Sequence, residues 1–297
     1  MTKFQCSILL TGILIVFSTS LYGMPSSDSQ SAAKPVVALS ILPQQYFLER
    51  IASGRVESIV LVGPGQSPHS YEPTPRQLDS LSRSSVWILS GTDFEEALKK
   101  KIVAQFPALT IRDGTDGVKF RDLDHRHEGH AENHDPHTWL GREPAKIMAG
   151  HIRISLKKID PAGSEVYEKN YQDLVSEIDS VFDSLTRRLA PLSGKTVLVY
   201  HPAFGYFFDE FNLHQESVET GGKEPTVRTL AALVEQAKKE GARAIFVQEQ
   251  FSPVSAKRIA EEIGVPVIPL NPLSGAWLEN ITRMGKALEA ALLNGYQ

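Results

Sequence analysis

Three histidines stand where a chain could be asked to hold a metal. His69 follows a β-branched run ending at Val62, across a Gly-Pro-Gly turn; His201 directly follows the run Thr196 to Tyr200; His137 lies in the segment D-P-H-T-W. Neutral imidazole suits zinc, copper, iron or nickel. In open α/β sheets, ligands bind beyond the carboxyl ends of the strands. His69 and His201 therefore fall, independently, where a site would form, one in each half of the chain. A lone histidine at a strand end is ordinarily a surface or hydrogen-bonded residue, and His151 and His214 are read that way. Cys6 is the only cysteine. It lies in an N-terminal segment expected to be removed, so thiolate chemistry is excluded and any soft-metal ligand must be histidine.

Four of the nine histidines, His125, His127, His130 and His134, fall in the stretch D-H-R-H-E-G-H-A-E-N-H-D from Asp124 to Asp135. This insert has no apolar face and reads as a loop. Histidine-rich tracts bind metal weakly, which fits accessory capture or sensing beside a tight site. Three histidines with an open fourth position are also the arrangement of a catalytic zinc. A hydrolase or lyase would add a general base; Glu72 and Glu249 are available, but no H-E-x-x-H or comparable motif supports that reading. Glu72, close to His69, is read as an acceptor behind an imidazole N–H or as a helix-entry residue.

The elements that must position these residues alternate between strand and helix. Val36–Leu39, Ser58–Val62, Val86–Leu89 and Leu109–Arg112 read as short strands, with helices opening at Pro43, Pro75 and Phe94. The rhythm returns with strands at Thr196–Tyr200, Ala244–Val247 and Val265–Leu270, and helices over Thr226–Glu240, from Pro253 and over Trp277–Leu293. That alternation argues for two α/β lobes with parallel sheets flanked by helices. Between them, Asp160-Pro161 breaks the chain. From Ser164 to Leu189, Tyr167, Tyr171, Leu174, Ile178, Val181 and Leu185 recur at steps of three or four. This segment reads as one long connecting helix. The expected division is an N-terminal lobe over 35–160 carrying the histidine-rich loop 124–135, a connecting helix over 161–190 and a C-terminal lobe over 191–297.

The 297 residues carry a net charge of -4, which argues against a nucleic-acid partner. Lys3, the apolar run Ile8–Phe17 and the small residues after it read as a signal peptide over 1–23, so the protein is expected to be exported. Pro25–Lys34 reads as a flexible leader. Cys6 precedes the end of the apolar run, which argues against a lipid anchor and, with it, against a surface adhesin.

Four segments then carry a resemblance: G-P-G-Q-S-P-H-S-Y-E-P-T-P (63–75), D-P-H-T-W-L (135–140), Y-H-P-A-F-G-Y-F (200–207) and V-I-P-L-N-P-L (267–273). They resemble, in order, the periplasmic zinc/manganese-binding proteins of ABC transporters, the ZnuA-like family. K-I-D-P-A-G-S-E-V-Y-E-K-N (158–170) is similar to the start of that family's backbone helix. The resemblance implies two lobes joined by one rigid helix, a metal in the inter-lobe cleft, and His69, His137 and His201 as its ligands. It implies a monomer without enzymatic activity that captures a divalent metal, Zn2+ as transported cargo, in the periplasm and delivers it to an ABC-type membrane permease. Manganese or iron is the alternative cargo. The family's glutamate at the third position in manganese members is His201 here, which favours zinc. The family's aspartate before P-L is Asn271 here, leaving Asn271, water or another acid as the fourth ligand, and the ion's charge uncompensated by any directly bound carboxylate.

Overall fold

The computed structural model describes residues 33–122, 134–219, 227–251 and 253–294. The expected signal peptide and His125, His127 and His130 lie outside the described residues. Among the described residues, no helix is long and apolar enough to cross a membrane.

Strands β1 (Val36–Ile41), β2 (Glu57–Val62), β3 (Val86–Leu89) and β4 (Thr110–Asp113) form a sheet in the order β2-β1-β3-β4. Strands β5 (Thr196–Val199), β6 (His214–Ser217), β7 (Ile245–Gln248) and β8 (Val267–Leu270) form a second in the equivalent order, β6-β5-β7-β8. Every pairing is parallel. Parallel strands covered on both faces read as unbroken apolar runs, and β3 (VWIL) and β7 (IFVQ) are buried at every position. Strand β6 (HQES) has no such run and was missed in the sequence for that reason.

Helices α1 (Leu42–Ala52), α2 (Pro75–Ser82) and α3 (Asp93–Gln105) belong to the first sheet. The second has the short α6 (Gly205–Asp209) with α7 (Val227–Lys239) and α8 (Pro253–Ile263). Helix α2 starts as its sequence dictates. Thr74 Oγ1 accepts from Gln77 N at 3.3 Å, Gln77 Oε1 accepts from Thr74 N at 3.0 Å, and Pro75 needs no donor partner.

Helix α5 (Ser164–Leu189) is continuous and lies between the sheets, packed on α1, α4 (Arg142–Ile159) and α9 (Trp277–Glu289). Its fully buried stripe is Tyr167, Leu174, Ile178, Phe182, Leu185 and Leu189. Tyr171 and Val181 are only partly buried at its edge, because Phe182 takes the inward position. Gly285 on α9 lets the two helices close: a Cβ there would lie 2.4 Å from Leu185 Cδ2. One apolar core runs from β1 through α5 to α9, and a smaller one lies on the other face of the second sheet. Two buried indoles lock the halves together. Trp277 Nε1 donates to Trp139 O at 2.8 Å, and Trp139 Nε1 donates to Pro272 O at 2.7 Å.

Trp277 is 1% exposed and stacks edge-on to Phe47 at 4.9 Å. Replacing it with alanine should cost about 3–5 kcal/mol in urea unfolding. A loss below about 1 kcal/mol would mean that the indole does not join the two halves.

Candidate metal centre

Two of the three histidines of the candidate site follow the carboxyl ends of strands, and the third lies in a turn. Beyond β2, a 3-10 turn over Pro68–Ser70 presents His69. Two residues beyond β5, His201 is held by its backbone: its N–H donates to Gln248 Oε1 at 3.3 Å and its carbonyl accepts from Gln248 Nε2 at 2.6 Å. Gln248 closes the neighbouring strand β7, so the two strand ends are tied side by side. His137 sits in a tight Asp-Pro-His turn, its N–H donating to Asp135 Oδ1 at 3.0 Å.

The three rings converge. Each offers one nitrogen, and these atoms lie within 4.8 Å of one another. His69 Nε2 and His201 Nε2 are 3.2 Å apart although the residues are 132 positions apart in sequence. Tetrahedral zinc with Zn–N bonds of 2.0–2.1 Å places its ligand nitrogens about 3.3 Å apart. His137 and His201 are buried and His69 is exposed.

Each ring is held at its other nitrogen by a carboxylate. Glu219 Oε1 is 2.7 Å from His201 Nδ1, Asp135 Oδ1 is 2.8 Å from His137 Nδ1, and Asp93 Oδ2 is 3.0 Å from His69 Nδ1. An ionised carboxylate can only accept, so each Nδ1 carries the proton and a neutral ring keeps its lone pair on Nε2. When both rings are neutral, His69 and His201 face each other through two lone pairs, a contact that a cation between them converts from repulsion to attraction. Burial of His201 pushes its imidazole down to about 4; Glu219 opposes that shift, and the two neighbouring rings add to it. Burial alone would raise Asp135, but hydrogen bonds from His137 and the charges of His137 and Arg121 hold its carboxyl below the usual range.

The small pocket in front of the rings is walled by Pro68, Trp139, Phe251, Pro272 and Leu273, and among the described residues no Asp or Glu lines it. Phe251 stacks on His201 with ring centres 4.9 Å apart. Trp139, Phe204, Tyr206 and Phe207 are buried packing residues.

The other residues read as ligands or partners lie outside this cluster. Asn271 does not line this pocket. Its side-chain oxygen accepts from Leu273 N at 2.9 Å and its amide donates to Glu249 at 3.1 Å, so a local turn claims the atom that would ligate. Glu72 is exposed, and the carboxylate behind His69 is that of Asp93, the first residue of α3. His134 stays outside the cluster, bridged to Asp122 and stacked on Phe120 at 5.1 Å. Asp93, Asp135 and Glu219 were not singled out in the sequence as partners of the histidines. Only Asp135 had a local signal, two positions before His137.

The family model for ZnuA, the periplasmic component A of a zinc-uptake complex, matches residues 37–291. The chain belongs to the ZnuA family. A crystal structure of ZnuA is 32% identical, covers 87% of this chain and 99% of its own, and superposes with a TM-score of 0.81. A ZnuA deletion mutant with zinc bound is 33% identical over 89% of this chain and 99% of its own, also at 0.81. The zinc-binding lipoprotein AdcA of Streptococcus pneumoniae is 27% identical over 95% of this chain, which spans 58% of AdcA. Structures below 25% identity, solved with manganese or nickel, share the fold alone, so ZnuA-family architecture does not by itself select the metal.

His201 titrates in the unfolded chain near pH 6.5 and in the fold at about 4. Between those values the unfolded state binds the extra proton, so metal-free stability should fall as pH drops through this window and level off below it. Denaturant unfolding should show the wild type losing about 3 kcal/mol more than His201→Gln from pH 6.5 to 4. Equal losses would refute the burial of a neutral ring.

Proposed function

We propose that this protein captures zinc in the periplasm through Nε2 of His69, His137 and His201 and delivers it to an ABC-type membrane permease. The observation that carries this reading is the contact of His69 Nε2 with His201 Nε2 at 3.2 Å, with both rings pinned by carboxylates at Nδ1. Three neutral nitrogen donors suit zinc, whereas manganese favours carboxylate oxygen. Among the described residues the pocket wall offers no carboxylate, which leaves a coordination position for solvent. The ion's charge is balanced one bond further out, by Asp93, Asp135 and Glu219. A site with no thiolate and one solvent position suits a carrier that must surrender its cargo. Family membership and the zinc-binding relatives support the same reading, and the N-terminal segment read as a signal peptide supports export. A catalytic zinc would add a general base at the pocket, and among the described residues no lining side chain supplies a carboxylate for that role.

The test is a calorimetric titration of the chelator-stripped protein with zinc and with manganese, in the wild type and in His201→Ala. One tight zinc site, much weaker manganese, and a loss in the variant beyond the roughly 10–100-fold that an outer partner costs are expected. Tighter manganese would reassign the cargo. No tight site for either would end the metal-capture reading.

A further inference from the structure

We infer that Arg121 is a positioning residue of the metal centre, seating Asp135, and through it His137, against the helix that follows His201. The inference rests on the three-imidazole reading above and adds a residue that touches none of the rings.

The Arg121 side chain is 16% exposed and the Asp135 side chain 0%. The two oxygens of Asp135 have separate duties. Oδ1 accepts from His137 Nδ1 at 2.8 Å and from His137 N at 3.0 Å, while Oδ2 accepts from Arg121 Nη1 at 2.9 Å. The guanidinium continues across the molecule, Arg121 Nε donating to Asp209 Oδ2 at 2.9 Å. Asp209 ends α6, which begins four residues after His201. The Tyr206 hydroxyl, on the same helix, accepts from Arg121 N and donates to Asp135 O, both at 3.1 Å. Asp135 N donates to Arg121 O at 3.0 Å.

Gly205 makes this seat possible. A Cβ there would lie 1.9 Å from Arg121 Nη1 and 2.7 Å from Asp135 Oδ2, so the ion pair rests against bare helix backbone. The result is a closed circuit from His201 through α6, Asp209, Arg121 and Asp135 to His137, whose ring centre is 5.3 Å from that of His201. A carboxylate buried this deeply needs both partners. Without the guanidinium it would reorient, and its hold on His137 Nδ1 would loosen. Arg121 acts on the metal through the direction of one imidazole and through the spacing of two.

The experiment measures zinc affinity by competition with a chromophoric chelator, and the visible absorption of the cobalt(II)-substituted protein, for wild type, Arg121→Ala, Arg121→Lys and Asp209→Asn. Arg121→Ala should bind zinc about ten-fold more weakly and shift the cobalt bands, which report the ligand geometry directly. Arg121→Lys should recover part of the affinity, since one ammonium can hold Asp135 but cannot also span to Asp209. Asp209→Asn, at a half-exposed side chain where folding is not at risk, should give a smaller loss in the same direction. Unchanged affinity and cobalt bands in Arg121→Ala and Asp209→Asn would overturn the inference while leaving the three-imidazole reading intact. So would a weaker affinity that only tracks lost thermal stability, with unshifted bands. If Arg121→Ala does not fold, Asp209→Asn decides by the same criteria. A wild type that binds no zinc would overturn both.

Discussion

Two imidazole nitrogens 3.2 Å apart, each left with its lone pair because the other end of its ring donates to a carboxylate, set the terms for the rest of the molecule. Such a contact is unfavourable on its own and persists only where the scaffold over-determines it. The strands supply that rigidity at short range. Gln248, ending β7, grips both backbone polar groups of His201, and the Asp-Pro-His turn does the same for His137. At long range the rigidity comes from the core that runs through α5 and from the reciprocal indole bonds of Trp139 and Trp277.

The electrostatics have the same layered logic. Negative charge adjoins the site, in Asp93, Asp135 and Glu219, but each carboxylate is spent on an Nδ1–H. The sequence suggested an ion whose charge goes uncompensated by direct ligands. The fold instead places compensation one hydrogen bond away, where it fixes the tautomer of every ring and raises the basicity of every Nε2.

The legibility of these features followed their range. Apolar runs and capping residues made the two α/β halves readable, and periodicity made α5 readable. Periodicity could not say that Phe182 rather than Val181 faces inward, because that depends on which neighbours fill the groove. His69 and His201 were legible from strand ends, and all three histidines from the ZnuA-like segments. Asp93 and Glu219 were not, since each meets its histidine only after the fold has joined distant segments. The Asn271 side chain is engaged for a local reason: asparagine beside a turn satisfies nearby backbone before it reaches outward.

The rings differ in how deeply they sit: His137 and His201 are buried, while His69 stands at the surface. For an ion held among them, this gradient imposes an order of events. With an unbroken helix and a shared core between the halves, departure proceeds bond by bond. The outermost bond would yield first, and an incoming donor would approach from the His69 side. Handover would then have the character of an associative substitution, in which a recipient attaches before the carrier has let go.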